Sequence, residues 1–172
     1  PQQTVVAGSK EAMTEFIKQV KEARGVAVPL AVSGAFHSPL MNEASEKLAE
    51  VLKGIDCGKT WCPVYANVTA EPYPDSSDAK VLTAAQVKSP VRWQSTIENM
   101  TATGFDTFIE VGAGNTLTSL IKKIAPEVTA ISIEKAEDLK KEEIIGVHPN
   151  VNTSTVFISY NDLIKFINSF GN

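Results

Sequence analysis

The residue best placed to do chemistry is His37, which lies between an apolar run at residues 26–32 and the pair Ser38-Pro39. In α/β sheets, functional side chains collect where a strand gives way to a helix. An imidazole there can act as a general base if a partner fixes its tautomer and a hydroxyl or thiol nucleophile lies within reach. The alternative is a structural or merely exposed histidine. The second histidine, His148, lies in a polar stretch and carries no such signal.

A second candidate site is the Gly-x-Gly loop formed by Gly112 and Gly114, between an apolar run and a helical pattern. Two glycines at a helix N-terminus let the backbone approach an anion or a nucleotide, as in methyltransferases that bind S-adenosylmethionine. The same glycines also suit a tight strand-to-helix turn with no ligand. Only 58 residues follow Gly114 and the third glycine of the pattern is absent, so the methyltransferase interpretation fits badly.

Gln86 is the third residue of interest, and its spacing alone assigns it a structural role. Thr83 precedes it by three residues, which is the spacing of a helix capping box. Ser89 and Pro90 follow it, and a proline at the first helical position after a serine cap predicts a further helix start. The adjacent Arg92 and Trp93 are too common a pair to indicate nucleic-acid binding.

Composition limits the class of protein to which these residues belong. The chain has 172 residues, 43% of them hydrophobic, and a net charge of −4, which is ordinary for a globular protein and unlike a nucleic-acid-binding one. No apolar run is long enough to span a membrane. Cys57 and Cys62 allow at most one disulfide and lack the partners of a zinc site, which favours a reducing compartment. The sequence begins without Met or a signal peptide, so we expect it to start inside a larger protein.

The elements that position these residues alternate between strands and helices. Apolar runs predict strands at residues 4–7, 26–32, 63–68, 107–111 and 128–133. Helical spacing and caps predict helices from Ser9 to a stop at Gly25, from Ser38-Pro39 to Leu52, at 78–87, from Ser89-Pro90 to Gly104, and at 116–124. The remaining stretches predict a solvated charged helix face at 134–143, a linker at 149–155 and an amphipathic helix at 161–170. This alternation predicts an α/β fold with a parallel sheet.

Four motifs occur in one order along the chain: Gly34–Met41, Val64–Thr69, Gln86 with Ser89–Trp93, and Phe108–Leu117. In this order they resemble the carboxyl-terminal half of malonyl-CoA:acyl carrier protein transacylases, members of the acyltransferase family, over roughly residues 1–141. The resemblance implies a partial α/β-hydrolase-like parallel sheet with helices on both faces, plus the last part of a small ferredoxin-like subdomain. It places that subdomain at 1–30, the large subdomain at 31–141, and an atypical tail at 142–172.

The implied activity is transfer of a malonyl group from coenzyme A to the phosphopantetheine thiol of acyl carrier protein, in fatty acid biosynthesis. The reaction passes through a serine ester, and backbone donors stabilise the oxyanion. The residue matching the family's catalytic base is His37, and Gln86 matches the residue whose main-chain carbonyl orients that base. The nucleophile belongs to a Gly-x-Ser-x-Gly elbow that this sequence lacks, so this chain alone should not be a competent transferase.

Phe36 is the residue expected to contact the acyl group. In modular polyketide acyltransferases, Ala-Phe-His at this place accompanies malonyl units and Ala-Ser-His accompanies methylmalonyl units, although Phe36 can also serve packing alone. The resemblance implies acyl carrier protein, a coenzyme A thioester and the missing amino-terminal half as partners, with no nucleic acid and no membrane. It implies no metal and no cofactor, malonyl-CoA being a substrate, and a cytoplasmic or organellar-matrix location. The alternative is a non-catalytic module that binds acyl carrier protein.

Overall fold

The computed structural model describes residues 3–60, 62–135, 138, 145–147, 156–158 and 165. The chain forms two compact units, residues 1–99 and 100–172, and each is described by itself. The subdomain boundaries expected after residues 30 and 141 stay predictions.

The first helix, α1 (Lys10–Glu22), begins at the predicted cap. The hydroxyl of Ser9 accepts a hydrogen bond from the backbone N–H of Ala12 at 3.2 Å, which satisfies one of the donors left free at a helix start. No residue of α1 is buried in this chain. The helix therefore depends on its cap and its own backbone hydrogen bonds more than on packing.

The end of α1 differs by one residue from the prediction. Arg24, not Gly25, adopts the left-handed conformation, with φ of 59°. The N–H of Gly25 donates to Val20 O at 2.8 Å and that of Arg24 to Lys21 O at 3.0 Å, the two bonds of a Schellman motif. A Cβ on Gly25 would lie 2.8 Å from Val20 Cγ1, so a side chain there would force Val20 to shift.

Three predicted strands are wrong. Residues 4–7 and 26–32 form no strand, and the segment 63–68 contributes only one antiparallel bridge, between Tyr65 and Pro72. A strand exists only where its backbone pairs with a neighbour, and the described residues supply no partner for the first two runs. Alternate apolar side chains of the second run are consequently exposed: Val26, Val28, Leu30 and Val32.

The helix predicted behind His37 is confirmed, with a different first turn. Residues Pro39–Met41 form a 3₁₀ turn that leads into α2 (Asn42–Lys53). Ser38 is buried, but its hydroxyl donates to Ala35 O at 2.7 Å instead of capping the helix. That bond closes the turn that contains His37.

The next helix, α3 (Ser76–Gln86), confirms the prediction at 78–87 but starts two residues earlier. Its cap is Asp75, whose carboxylate accepts hydrogen bonds from the backbone N–H groups of Ser77 and Asp78, at 2.7 and 3.1 Å. The capping box of Thr83 and Gln86 is therefore wrong, because both residues lie at the carboxyl-terminal end of this helix.

Two helices of the first unit are joined through a buried polar contact. The hydroxyl of Ser45, on α2, donates to Ala84 O in the last turn of α3 at 2.7 Å, and both residues are buried. The last carbonyls of a helix have no partner within it, so this hydroxyl satisfies one of them. The contact fixes the end of the helix on which Gln86 lies.

The fourth helix, α4 (Trp93–Ala102), begins three residues after the predicted Ser89-Pro90 start. The N–H of Arg92 donates to Asn67 O at 2.9 Å, which ties the preceding segment to another loop instead of to a helix. Ile97 is 1% exposed and is the largest fully buried side chain among the described residues. This side chain marks the core of the first unit.

The second unit contains the predicted strand, helix and strand: β1 (Thr107–Val111), α5 (Thr116–Ile124) and β2 (Thr129–Ile133). The two strands pair in parallel, Thr107 opposite Thr129 and Val111 opposite Ile133. A parallel pair joined by a helix confirms the α/β class. The helix buries one face on the pair, through Thr118, Ile121 and Ala125 with Ala130 of the second strand.

The tail holds two short strands that no sequence pattern predicts, β3 (Ile145–Val147) and β4 (Val156–Ile158), paired antiparallel. The linker at 149–155 lies outside the described residues, as do most of the charged run at 134–143 and of the helix at 161–170. In the part of the chain that the structure describes, no helix is both long and apolar enough to cross a bilayer.

Candidate active site

The backbone of His37 has an unusual conformation, with φ of 63°. Few residues other than glycine adopt the left-handed region, histidine being among the more tolerant, and such positions cluster at functional sites. The conformation is held by the N–H of His37, which donates to Val87 O at 3.0 Å. The residue just after α3 thus fixes where the imidazole can lie.

The imidazole itself meets Gln86, 49 positions along the chain. Its Nδ1 lies 3.0 Å from Gln86 O and 3.1 Å from Gln86 Nε2. When Nδ1 carries a proton and donates it to the carbonyl, the other ring nitrogen keeps a lone pair and can act as a base. His37 is exposed in this chain, so the ring can be approached from solvent.

The carbonyl that faces the imidazole belongs to the last residue of a helix. Carbonyls at a helix C-terminus carry the negative end of the helix dipole and lack intrahelical partners. Gln86 O accepts only a long bond from the N–H of Ser89, at 3.4 Å, in addition to the ring. A main-chain carbonyl in this place can orient the ring and face the imidazolium that forms during proton transfer, as an aspartate does in other triads.

Phe36, the predicted acyl-group contact, is 46% exposed. Its ring lies against the turn before His37: a Cβ built on Gly34 would be 3.6 Å from the nearest ring carbon of Phe36 and 3.8 Å from Met41 Sδ. One side of the ring therefore packs on the loop and another faces solvent. This placement is compatible with packing and with substrate selection, and both roles stay predictions.

Backbone N–H groups in and after the Gly-x-Gly loop already donate hydrogen bonds to carboxylates of this chain. Glu110 accepts the backbone N–H of Thr118 at 2.7 Å and that of Leu117 at 3.1 Å, at the start of α5. Glu134 accepts the N–H of Gly114 at 3.4 Å. The donors that would hold an anion thus face two carboxylates, which favours the structural interpretation of the loop over a nucleotide site. Gly112 and Gly114 have φ of 142° and 85°, which accounts for the glycines.

The capping role of Glu110 predicts a pH-dependent stability. The N–H of Thr118 is the main cause that lowers the pKa of this carboxyl below its ordinary value. A carboxyl whose pKa is lower in the folded state stabilises the fold above its unfolded pKa, near 4.3, and this contribution is lost as the pH falls through the folded value. Glu110→Gln should lower the thermal unfolding midpoint at neutral pH, and the difference from the parent should shrink as the solution is acidified.

Circular dichroism melts of Glu110→Gln across that pH range test this prediction. Glu127→Gln, an exposed glutamate beyond the end of α5, is the matched control and should change little. A difference between Glu110→Gln and the parent that stays constant from neutral to acidic pH would contradict the capping role.

Other groups in the described residues are separate from this site. A cavity of about 440 Å³ between α2 and α3 has Lys53, Cys57 and Lys80 in its lining but none of His37, Gln86 and Phe36. Cys57 and Cys62 are free thiols. Within the described part of the chain, no cluster of three or more histidine, cysteine or acidic side chains could hold a metal ion.

Sequence patterns did not predict three groups that support the candidate site or the Gly-x-Gly loop. These are Ser45, the Val87 carbonyl and Glu110. Ser45 lies on the apolar stripe of α2 as a small polar residue, which signals nothing by itself. A main-chain carbonyl has no sequence signature. Glu110, placed one residue before a Gly-x-Gly loop, is the one that a search for helix-capping carboxylates could have found.

Comparison with known proteins identifies the class to which this fold and site belong. The family model described as the acyl transferase domain matches residues 1–166. The chain therefore belongs to the acyl transferase domain family, and the resemblance drawn from the four motifs is confirmed.

Within that family, several proteins similar to this chain are named malonyl CoA-acyl carrier protein transacylases. The malonyl CoA-acyl carrier protein transacylase of Bacillus subtilis (strain 168) is 37% identical over 142 residues, covering 81% of this chain and 44% of that protein. The enzyme of the same name from Synechocystis is 34% identical over 139 residues, covering 81% of this chain and 47% of that protein.

Solved structures similar to this chain include malonyl transacylases. The crystal structure of the malonyl CoA-acyl carrier protein transacylase from Clostridium perfringens superposes with a TM-score of 0.72 at 37% identity, covering 76% of this chain and 41% of that one. A malonyl-transacylase solved in complex with its type II polyketide synthase acyl-carrier protein gives 0.71 at 36% identity, covering 75% and 42%. The chain spans less than half the length of the relatives it matches.

Proposed function

We propose that the complete protein transfers a malonyl group from coenzyme A to the phosphopantetheine thiol of acyl carrier protein, with His37 as the general base. The observation that carries the proposal is the contact of His37 Nδ1 with Gln86 O at 3.0 Å, in a chain 37% identical to a malonyl transacylase. This contact leaves the other ring nitrogen free to take a proton, as acyl transfer through a hydroxyl requires.

The nucleophile in this proposal is a serine outside the 172 residues. Its hydroxyl gives its proton to the bare Nε2 of His37 while Oγ attacks the malonyl thioester carbonyl. The carbon–sulfur bond breaks, and His37 returns the proton to the sulfur of the departing coenzyme A. In the second half, the phosphopantetheine thiol gives its proton to His37 and attacks the serine ester, and the proton passes to the serine oxygen as its bond to carbon breaks. No separate cofactor takes part, and we place the reaction in the cytoplasm or an organellar matrix.

The remainder of the protein is the second partner we propose. Apolar side chains that a core would normally bury are exposed in the first unit, where Val26 is 90% and Val28 is 74% exposed. In the second unit Val111, on β1, is 79% exposed. Apolar surface of this kind marks interfaces, and the half of the relatives' length that this chain lacks is the occupant we assign to it.

The third partner we propose is acyl carrier protein. A malonyl-transacylase 36% identical to this chain was solved in complex with such a carrier, which supports this assignment. A non-catalytic module that binds the carrier is the alternative. Transfer of malonyl groups distinguishes the two functions, because only the enzyme would transfer them.

The test of the proposed function uses the protein isolated from its natural source, malonyl-CoA labelled in the malonyl group, and holo acyl carrier protein. Label should move to the carrier, and carrier without its phosphopantetheine should receive none. Binding of holo carrier without transfer of label would leave the binding module and overturn the enzyme.

Phe36 gives a prediction on selectivity. Phe36→Ser should raise the use of methylmalonyl-CoA relative to malonyl-CoA about fivefold, because room for one methyl group is worth on the order of 1 kcal/mol. Phe36→Leu keeps most of the bulk and is the control, with a smaller expected change. Competition kinetics with both thioesters measure the ratio, and a ratio unmoved by Phe36→Ser would leave Phe36 with packing alone.

A further inference from the structure

Lys88 lies two residues after Gln86, and its side chain reaches α2. Its Nζ donates to Oδ1 of Asn42, the first residue of that helix, at 2.7 Å, although the two residues lie 46 positions apart along the chain. Lys88 is half-buried, and among the described residues no carboxylate pairs with its ammonium. The hydrogen bond to Asn42 is therefore the contact that fixes this side chain.

The orientation of the Asn42 amide follows from the charges at its two ends. Its Nδ2 donates to Glu46 Oε1 at 2.6 Å, while its Oδ1 accepts from Lys88. A carboxylate only accepts and an ammonium only donates, so the reverse orientation would oppose two acceptors at one end and two donors at the other. Glu46 lies one turn along α2 from Asn42, a spacing at which side chains of one helix meet. Glu46 thus orients the amide toward Lys88.

A second contact to α2 holds the residue two positions before Gln86. The hydroxyl of Ser45, also one turn along α2 from Asn42, donates to Ala84 O at 2.7 Å. Gln86 therefore lies midway between two residues that are each bound to α2, one through its main-chain carbonyl and one through its side chain.

His37 contacts the same segment between these two attachments. Its Nδ1 lies 3.0 Å from Gln86 O, and its N–H donates to Val87 O at 3.0 Å. Only the short turn at 39–41 separates His37 from α2. A movement of α2 relative to the end of α3 would therefore change the distance between the imidazole and the carbonyl, and catalytic groups need to be held within about 0.5 Å of their productive positions.

We propose that Lys88 and Asn42 are positioning residues, whose hydrogen bond keeps the carbonyl of Gln86 aligned with the imidazole of His37. Its consequence for the reaction rests on the proposed function, whereas the alignment itself does not. Neither side chain takes part in proton transfer. The contact acts by fixing the end of α3 on α2, and Glu46 supports it by orienting the amide of Asn42.

The first test measures the kinetics of malonyl transfer by the complete protein. Lys88→Met removes the donor and keeps most of the apolar stem. Turnover should fall about fivefold, the effect of one net hydrogen bond on the aligned fraction, while KM for malonyl-CoA stays within twofold of the parent. Lys88→Arg keeps a charged donor and should recover most of the turnover. Lys47→Met is the control, because it removes the same charge from a pair with Glu43 inside α2 and should leave turnover unchanged.

The second test follows the alignment without the reaction, by amide hydrogen exchange in the complete protein. The N–H of His37 donates to Val87 O, so its exchange should be about fivefold faster in Lys88→Met and parent-like in Lys88→Arg and Lys47→Met. Asn42→Leu removes the acceptor, should have the same effect, and can be read alone if the methionine variant does not fold. The double variant should show no further change, because both substitutions break one contact.

The two tests separate failure of this proposal from failure of the proposed function. Parent-like exchange at His37 in folded Lys88→Met and Asn42→Leu proteins would overturn the positioning role, and so would faster exchange with undiminished turnover. A complete parent protein that transfers no malonyl group would overturn the proposed function and the catalytic role of Lys88 with it, whereas the exchange rates would still show whether the contact aligns His37.

Discussion

Replacing His37 with alanine in the complete protein is expected to lower malonyl transfer about 10⁴-fold or more, the usual scale for losing the base of a serine triad. Without the imidazole, the serine hydroxyl keeps its proton and the departing sulfur has no acid to protonate it. The effect should fall on turnover, because neither of these steps concerns the binding of the thioester. Steady-state kinetics with malonyl-CoA and holo acyl carrier protein measure it.

The matched control is His148→Ala, since His148 is the other histidine and the sequence assigns it no chemistry. It should retain turnover within a few-fold of the parent. Far-ultraviolet circular dichroism shows whether each variant is folded. A folded His37→Ala protein with turnover within tenfold of the parent would remove His37 from the mechanism, whatever the geometry around it.

The second large effect is on stability. Ile97→Ala should lower the free energy of unfolding of the first unit by about 2–5 kcal/mol, since Ile97 is 1% exposed and truncation of a buried isoleucine loses both its transfer energy and its packing contacts. Ile97 lies on α4, which begins directly after Arg92, and the N–H of Arg92 ties the segment after Gln86 to the loop at Asn67. Loss of this core should therefore loosen the segment that carries Gln86.

Urea unfolding followed by tryptophan fluorescence reports on this unit through Trp93, which belongs to it. Val51→Ala on α2 is the control, because Val51 is 64% exposed and its truncation should cost less than about 1 kcal/mol. Equal shifts of the unfolding curve in the two variants would show that Ile97 does not lie in a packed core.

The second unit was largely predictable from sequence, for a physical reason. In the stretch from Thr107 to Ile133, strand, loop, helix and strand follow each other closely, and each partner of the parallel pair lies within the same short segment. Local sequence patterns predict an element correctly when the residues that stabilise it lie close to it along the chain. The start of α1 was predictable for the same reason, since the Ser9 cap acts within one turn.

The strands predicted at 4–7 and 26–32 failed because a strand depends on a partner that its own sequence does not contain. Their composition is that of strands, but in the described residues the backbone meets no neighbouring strand. The capping box at Thr83 and Gln86 failed differently. The spacing was right, but Asp75 had already started the helix eight residues earlier.

The candidate site also has a part that local sequence patterns predict and a part that they do not. The position of His37 at the start of a helix follows from local patterns, whereas its contact with Gln86 joins residues 49 apart. No periodicity or composition predicts such a contact, and only the resemblance to a family indicated it. The left-handed backbone of His37 becomes visible only in three dimensions.

Denaturing mass spectrometry of the natural protein after incubation with malonyl-CoA, followed by peptide mapping, shows whether a serine ester forms and where it lies. We expect a covalent adduct of one malonyl group, carried on a serine outside these 172 residues and removed by holo acyl carrier protein. An adduct on a residue within the 172-residue sequence, or no adduct on a protein that contains the serine elbow, would contradict this expectation.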